Sequence, residues 1–267
     1  MINIKKLALL IVFIWPSVLL AETMEVTLLY VGPTDSQAWA GSQQGLDEAN
    51  LQGQFLGQNY QIKSVTMKEL QDLPASNMTA ILVDASKKNV LSLAQDAKYS
   101  QVPIFNLTST DDALRSACVP NLFNILPSDQ MDKDAIAQWQ AKNPDIAVKA
   151  QAWHEDFVKF AASQLNKRFK RNHNVNMTDD AWAGWASVKM ISDTVARTES
   201  IKSTSLLEHL KNDLSFDGQK GDTATFRETG QLRQIVLLVN DKNEIVAEAP
   251  LRGVKNGLDS LGKTTCQ

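Results

Sequence analysis

Catalytic and metal-binding residue types are scarce in this chain. It has three histidines and two cysteines in 267 residues. His154, His173 and His209 lie on segments without metal-ligand spacing, and His154-Glu155-Asp156 is not a metal signature. The sequence contains no G-x-S-x-G elbow, no H-E-x-x-H and no phosphate-binding loop. The stretch from Asp213 to Asp222 lacks the alternating oxygen ligands of a calcium loop. No catalytic residue, metal or cofactor is assigned, and an enzyme is not expected. Excess charge of one sign is also missing. A net charge of −3 and a pI near 5.7 exert no general pull toward nucleic acid or anionic membrane. There is no internal repeat, low-complexity tract or heptad series, and past the amino-terminal region no segment is apolar enough to span a bilayer.

What is present begins with a targeting pattern. Lys5 and Lys6 precede an apolar run from Leu7 to Leu20, and Ala21 offers a small residue for cleavage. The run is shorter than the roughly 20 residues that cross hydrocarbon, so it predicts a secretory signal peptide over residues 1–21 rather than an anchor. The expected location is the periplasm, with no stable membrane insertion after cleavage. Removing residues 1–21 from 267 leaves 246, enough for a large core and one or two domains. In an exported chain the even cysteine count suggests a Cys118–Cys266 disulfide. Closing so long a loop stabilises by roughly 4 to 5 kcal/mol in the chain-entropy model.

The amino-terminal half alternates strand and helix patterns. Strands are expected over 25–31, 60–65, 79–83, 102–107 and 122–126. Helical segments are expected over 67–73, 89–99 and 111–116, and after the Gly32-Pro33 stop with Thr34 or Asp35 as cap. This spacing implies a parallel sheet covered on both faces, with polar loops at its carboxyl edge over 33–38, 84–87 and 107–111. The later half reads as helices over 129–140, 157–171, 179–198 (capped by Thr178) and 204–213 (capped by Ser203 or Thr204). A short polar stretch spans 142–150. A hairpin is expected from 223–227 and 234–239 around Glu228-Thr229-Gly230, followed by a last strand over 244–249.

Two distant segments, VTLLYVGPTDSQAWAGSQQGLDEAN and SFDGQKGDTATFRETGQLRQIVLLV, together resemble the two ends of a type I periplasmic solute-binding protein of the leucine/isoleucine/valine-receptor kind. The F-x-G-x-x-G turn (Phe216, Gly218, Gly221) belongs to that likeness. The strings QGLDEANLQGQFLGQ, DDALRSACVPNLFNILPS, MTDDAWAGWASVK, DGQKG, GQLRQ and LDSLG resemble the branch of these receptors associated with pyrroloquinoline-quinone (PQQ) dependent alcohol dehydrogenase systems. The resemblance implies an α/β fold with a Rossmann-like lobe over 22–127, a mostly helical lobe over 128–222, and a β-ribbon and tail over 223–267 returning to the lobe interface. Between Pro127 and Trp153 the sequence is shorter than the family pattern by about two strand–helix units, so the second lobe is expected to be abbreviated. The implied function is delivery of a small polar solute to an ABC-type permease, beside a periplasmic quinoprotein dehydrogenase. The alternative is an accessory protein that has lost cleft closure and binds a partner.

Candidate ligand residues lie at the strand ends. Ser86, Thr108, Ser109 and Thr110 stand where amino-acid receptors of this kind hold a carboxylate with hydroxyls and helix amides. Capping is the competing role, Ser86 for the helix after it and Thr110 before Asp111. Trp39 can stack over a solute or simply pack. Asp84 can pair with an ammonium or remain a solvated loop charge. Trp182 and Trp185 share one helix face and fit a core. The run Lys167, Arg168, Lys170 and Arg171 suits a helix carboxyl end.

Overall fold

The computed structural model describes residues 23–266; the expected signal peptide lies outside them. Five strands form one parallel sheet: β1 (Met24–Val31), β2 (Gln58–Ser64), β3 (Ala80–Val83), β4 (Ile104–Asn106) and β5 (Leu122–Asn124), in the order β2-β1-β3-β4-β5. Strands β1, β3, β4 and β5 are largely apolar because both faces are covered, whereas the edge strand β2 is mostly polar. Alternate residues serve opposite sides. Val26, Leu28, Tyr30 and Leu82 join one core, while Leu29, Val31, Ile81 and Val83 join another. The second core is closed by Val90 and Leu93 of α3 (Lys87–Gln95) and by Tyr99.

The first core is closed by a helix pair. Helix α1 (Gln37–Leu56) runs against a second long helix, Asp179–Thr198. Small residues let the two backbones approach. A carbon added at Gly41 would lie 1.8 Å from the Ala181 carbonyl oxygen, and one at Gly184 would lie 2.2 Å from that of Ala38. Between these elements come α2 (Met67–Asp72), α4 (Asp112–Ser116), α5 (Asp129–Gln140), β6 (Lys149–Gln151) and α6 (Ala162–His173), so the second long helix is α7. After it follow α8 (Ser203–Asn212), a two-stranded ribbon of β7 (Phe216–Asp217) and β8 (Thr223–Ala224), and strands β9 (Val236–Val239) and β10 (Ile245–Ala249). A second, antiparallel sheet has the order β10-β9-β6. Its Val236, Leu238 and Ala249 pack on Met131 and Ala135 of α5.

The carboxyl-terminal part is stitched to the parallel sheet by buried polar side chains. Gln231 donates to the carbonyls of Asn124 and Leu126, and Gln234 donates to that of Ile125. Gly230 adopts φ +72° with Leu122 pressed against it, so its carbonyl can accept from the Asn124 amide at 2.7 Å. Arg227, 3% exposed, holds the tail through Asp259 and the Leu258 and Leu261 carbonyls. Cys118 and Cys266 are joined by a disulfide across 148 positions, with their Cα atoms 5.8 Å apart.

Several local expectations are corrected. The cap of α1 is Ser36, not Thr34 or Asp35, and its oxygen accepts from the Trp39 amide. Asp111, not Thr110, caps α4. Ser86 holds the N-cap position of α3, but its side chain makes no capping bond. The cap position of α8 is Lys202, not Ser203 or Thr204, and it has no side-chain bond. The helix expected from Phe157 begins at Ala162, because Phe160 and Ala161 take left-handed backbone angles. The polar stretch 142–150 contains the start of a strand, β6, which pairs with β9. The expected hairpin over 223–239 reduces to one bridge, Phe226 to Leu232, while β8 pairs back to β7 and β9 pairs forward to β10.

Candidate functional site

The order of the parallel sheet reverses at β1, which lies between β2 and β3. The crevice at such a reversal, beyond the carboxyl ends of the strands, is where open α/β sheets take ligands. Tyr30 and Asp84 meet at that point. The Tyr30 hydroxyl lies 3.1 Å from Asp84 Oδ2 and 3.0 Å from Ser36 Oγ, and Thr108 Oγ1 donates to Asp84 Oδ1 at 3.0 Å. One consistent proton assignment runs from the Trp39 amide to Ser36, from Ser36 to Tyr30 and from Tyr30 to Asp84. Gly32 permits this approach, since an added carbon there would stand 2.7 Å from Asp84 Cβ. Burial pushes the Tyr30 phenol well above its ordinary range, so it stays a donor.

The expected site residues therefore divide. Asp84 and Thr108 are bonded to each other. Trp39 packs edge-on to Tyr30, with ring centroids 4.8 Å apart. Ser109 is fixed through its backbone: its amide bonds to Asn106 Oδ1, and its carbonyl accepts from Asn106 and Arg115. The Thr110 carbonyl accepts from the Asp129 amide. The side chains of Ser86, Ser109 and Thr110 lie at the same sheet edge without a hydrogen bond among the described residues. Arg115, 1% exposed, braces this edge. It donates to the carbonyls of Ser109, Asp111 and Leu126 and to Gln231 Oε1. Burial lowers its guanidinium to about 10.

Sequence reasoning identified Thr178 as the cap of α7 but missed the acidic residues behind it that approach this edge. Thr178 caps α7, and Asp179 and Asp180 occupy its first turn. Burial, then the neighbouring Asp84 and Asp179, raises the Asp180 carboxyl to about 6. Asp179 accepts from the Trp153 amide at 2.7 Å, and burial raises its carboxyl too. Beside them lies a cavity of about 440 Å³, lined in part by Trp153, His154, Glu155, Met177, Asp179 and Asp180. Among the described residues no group of His, Cys, Asp or Glu, His154 included, could hold a metal ion. A second cavity of about 320 Å³ reaches Asp84 from the ends of β1 and β2.

Behind the first cavity sits a buried charge cluster. Lys220 Nζ lies 2.8 Å from Gln234 Oε1 and 4.3 Å from the centre of the Trp182 ring. Burial pulls its ammonium down to about 7 against the opposing pull of Asp179 and Asp132. Burial, then Asp179, raises Asp132 to about 7. The two tryptophans expected in the core are there: Trp182 stacks on Trp153, and Trp185 donates to Glu48 at 2.9 Å.

No family matches the chain by sequence, and no curated protein matches it. Solved structures do. A branched-chain amino acid ABC transporter periplasmic ligand-binding protein from Burkholderia xenovorans aligns with a TM-score of 0.69 at 13% identity, over 84% of this chain and 95% of its own. An amino acid ABC transporter substrate-binding protein from Pseudomonas fluorescens gives 0.70 at 10%, over 85% and 96%. A branched-chain amino acid transporter substrate binding protein from Streptococcus pneumoniae, in complex with isoleucine, gives 0.67 at 11%, over 85% and 99%. At these identities the likeness is one of fold.

Proposed function

From the type I periplasmic-binding-protein fold that this chain adopts, we propose that it is the solute-binding component of an ABC-type transporter, taking a small polar solute. The observation that carries this reading is the meeting of Asp84, Tyr30 and Thr108 at the strand-order reversal, with Asp84 close enough to help raise the carboxyl of Asp180 on α7. The three solved structures of like fold support it: all are solute-binding proteins of transporters. No helix among the described residues is long and apolar enough to cross a membrane. That fits an exported receptor released after cleavage of residues 1–21, and the Cys118–Cys266 bond fits an oxidising compartment.

In this reading residues 22–127 form one jaw, 128–222 an abbreviated second jaw, and 223–267 the return, whose β9 pairs with β6 of the second jaw. The resemblance strings support placement beside a PQQ-dependent alcohol oxidation system.

A thermal-shift screen of small polar solutes tests the reading. A bound solute at one hundred times its Kd raises folding stability by about 2.7 kcal/mol, and Asp84→Asn should abolish that rise. Ser109→Ala and Thr110→Ala should weaken it without lowering the melting point of the free protein. A flat screen, together with co-purification of a periplasmic partner such as a quinoprotein dehydrogenase, would favour the accessory role instead.

A further inference from the structure

We propose that the cavity between β6 and the start of α7 selects a cationic amine bearing a neutral hydrogen-bond acceptor, a short amino alcohol or amino amide, over an amino acid zwitterion. This rests on the reading of the protein as a solute receptor and names the chemical class of its solute. Glu155, Asp179 and Asp180 line the cavity, and among the described residues none of them forms a side-chain ion pair. The nearby cation, Lys220, is 4% exposed and engaged with Gln234 and the Trp182 ring. Asp179 is held by the Trp153 amide and faces Lys220, so an incoming ammonium meets chiefly the unpaired Glu155 and Asp180, whereas an incoming carboxylate meets like charge. Burial first, and then Asp84 and Asp179, raise the Asp180 carboxyl.

The second observation is independent of the acidic residues. His154 lines the same cavity and is 4% exposed. Its Nδ1 accepts from the Asp156 amide at 3.1 Å, which places the proton of the neutral ring on Nε2. That Nε2–H is buried and has no partner among the described residues. A buried donor left unmade is destabilising, and an acceptor supplied from outside would satisfy it. Gln151 Oε1, buried and unpartnered on the same wall, can accept an ammonium proton. Trp153 and Met177 offer apolar surface to a short alkyl linker between the two ends of the solute.

The test is calorimetric titration of the purified mature protein with 3-amino-1-propanol, propylamine, 1,3-propanediol, β-alanine and leucine. The amino alcohol should bind at least tenfold more tightly than the alkylamine or the diol, and β-alanine and leucine should bind more weakly still. Asp180→Asn should cost at least tenfold for the amino alcohol. His154→Phe, which removes the donor, should make amino alcohol and alkylamine equal, which a merely structural role for His154 would not do. Circular dichroism checks that both variants fold. If leucine or β-alanine binds best, the charge argument fails while the receptor reading stands. Binding of the amino alcohol that is indifferent to Asp180→Asn also overturns the assignment. If no probe binds the wild type, the amine assignment fails, while the receptor reading stands or falls on the thermal-shift screen.

Discussion

The close approach of α1 and α7 at Gly184 makes a sharp prediction. A β-carbon at position 184 would stand 2.2 Å from the Ala38 carbonyl oxygen and 2.8 Å from the Ser42 nitrogen. Both are backbone atoms, so neither can swing aside. Restoring an ordinary contact near 3.4 Å requires α1 and α7 to part by about 1 Å. A gap of that size forfeits roughly a quarter to a half of the dispersion energy of the contacts it opens, and overpacking of this kind costs ~1–3 kcal/mol. Two fixed atoms at the point of collision place Gly184→Ala at the upper end, about 3 kcal/mol. Replacing a helical glycine returns ~1 kcal/mol of helix propensity. The net loss is then about 2 kcal/mol, read as a fall in the urea midpoint at constant m and a drop of roughly 4–8 °C in Tm. Gly41→Ala, whose added carbon meets the Ala181 oxygen at 1.8 Å, should cost more. The double variant should cost less than the sum, because one separation relieves both collisions. An unchanged or raised midpoint for Gly184→Ala, or strict additivity in the double variant, would refute this account of the helix pair.

Other outcomes follow from the same structure. Reducing the Cys118–Cys266 bond, which closes 148 positions, should lower stability by about 5 kcal/mol in the chain-entropy model, measured as the urea midpoint with and without reductant. Arg115→Met should cost at least about 3 kcal/mol, because it strands the carbonyls of Ser109, Asp111 and Leu126 and the Gln231 amide oxygen. Buried Asp132 titrates near 7 against 3.8 for the ordinary carboxyl, so between those values the folded chain holds a proton that the unfolded chain has released. Relative to Asp132→Asn, the wild type should lose stability as pH rises from about 4 to 7. Lys220 acts above that window. Its folded value near 7 lies below the ordinary 10.5, so relative to Lys220→Met the wild type should gain stability as pH rises from 7 toward 10.5. Parallel pH profiles for either pair would contradict the buried cluster.

The parallel sheet was legible because β1, β3, β4 and β5 are apolar runs closed by polar or turn-forming stops, and Thr178 marks the start of α7 with acidic residues in its first turn. The second sheet was not. Lys149-Ala150-Gln151 carries no strand pattern of its own, and it becomes a strand because the free side of β9 accepts it. The start of α6 was misplaced because the apolar spacing from Phe157 continues across Phe160 and Ala161, whose backbone angles no side-chain pattern reveals. Within the site, Asp84 and Thr108 were readable as polar residues at strand ends. Tyr30 was hidden inside a run that reads as core, and its ring is indeed buried while its hydroxyl serves the cluster. Asp180 and His154 belong to segments far from Asp84 in sequence, and only the folded chain brings α7 alongside α1.

The outer strands of the antiparallel sheet also carry a consequence for behaviour at high concentration. One of them, β6, is three residues long and begins with exposed Lys149. The other, β10, is broken by a register shift between Ile245 and Ala247 and is fenced by the Lys159–Glu248 ion pair. Short length, an exposed ammonium and a bulge each discourage a neighbouring chain from adding a strand. Deterrence against self-association is thus written into the two borders where this sheet would otherwise be most adhesive.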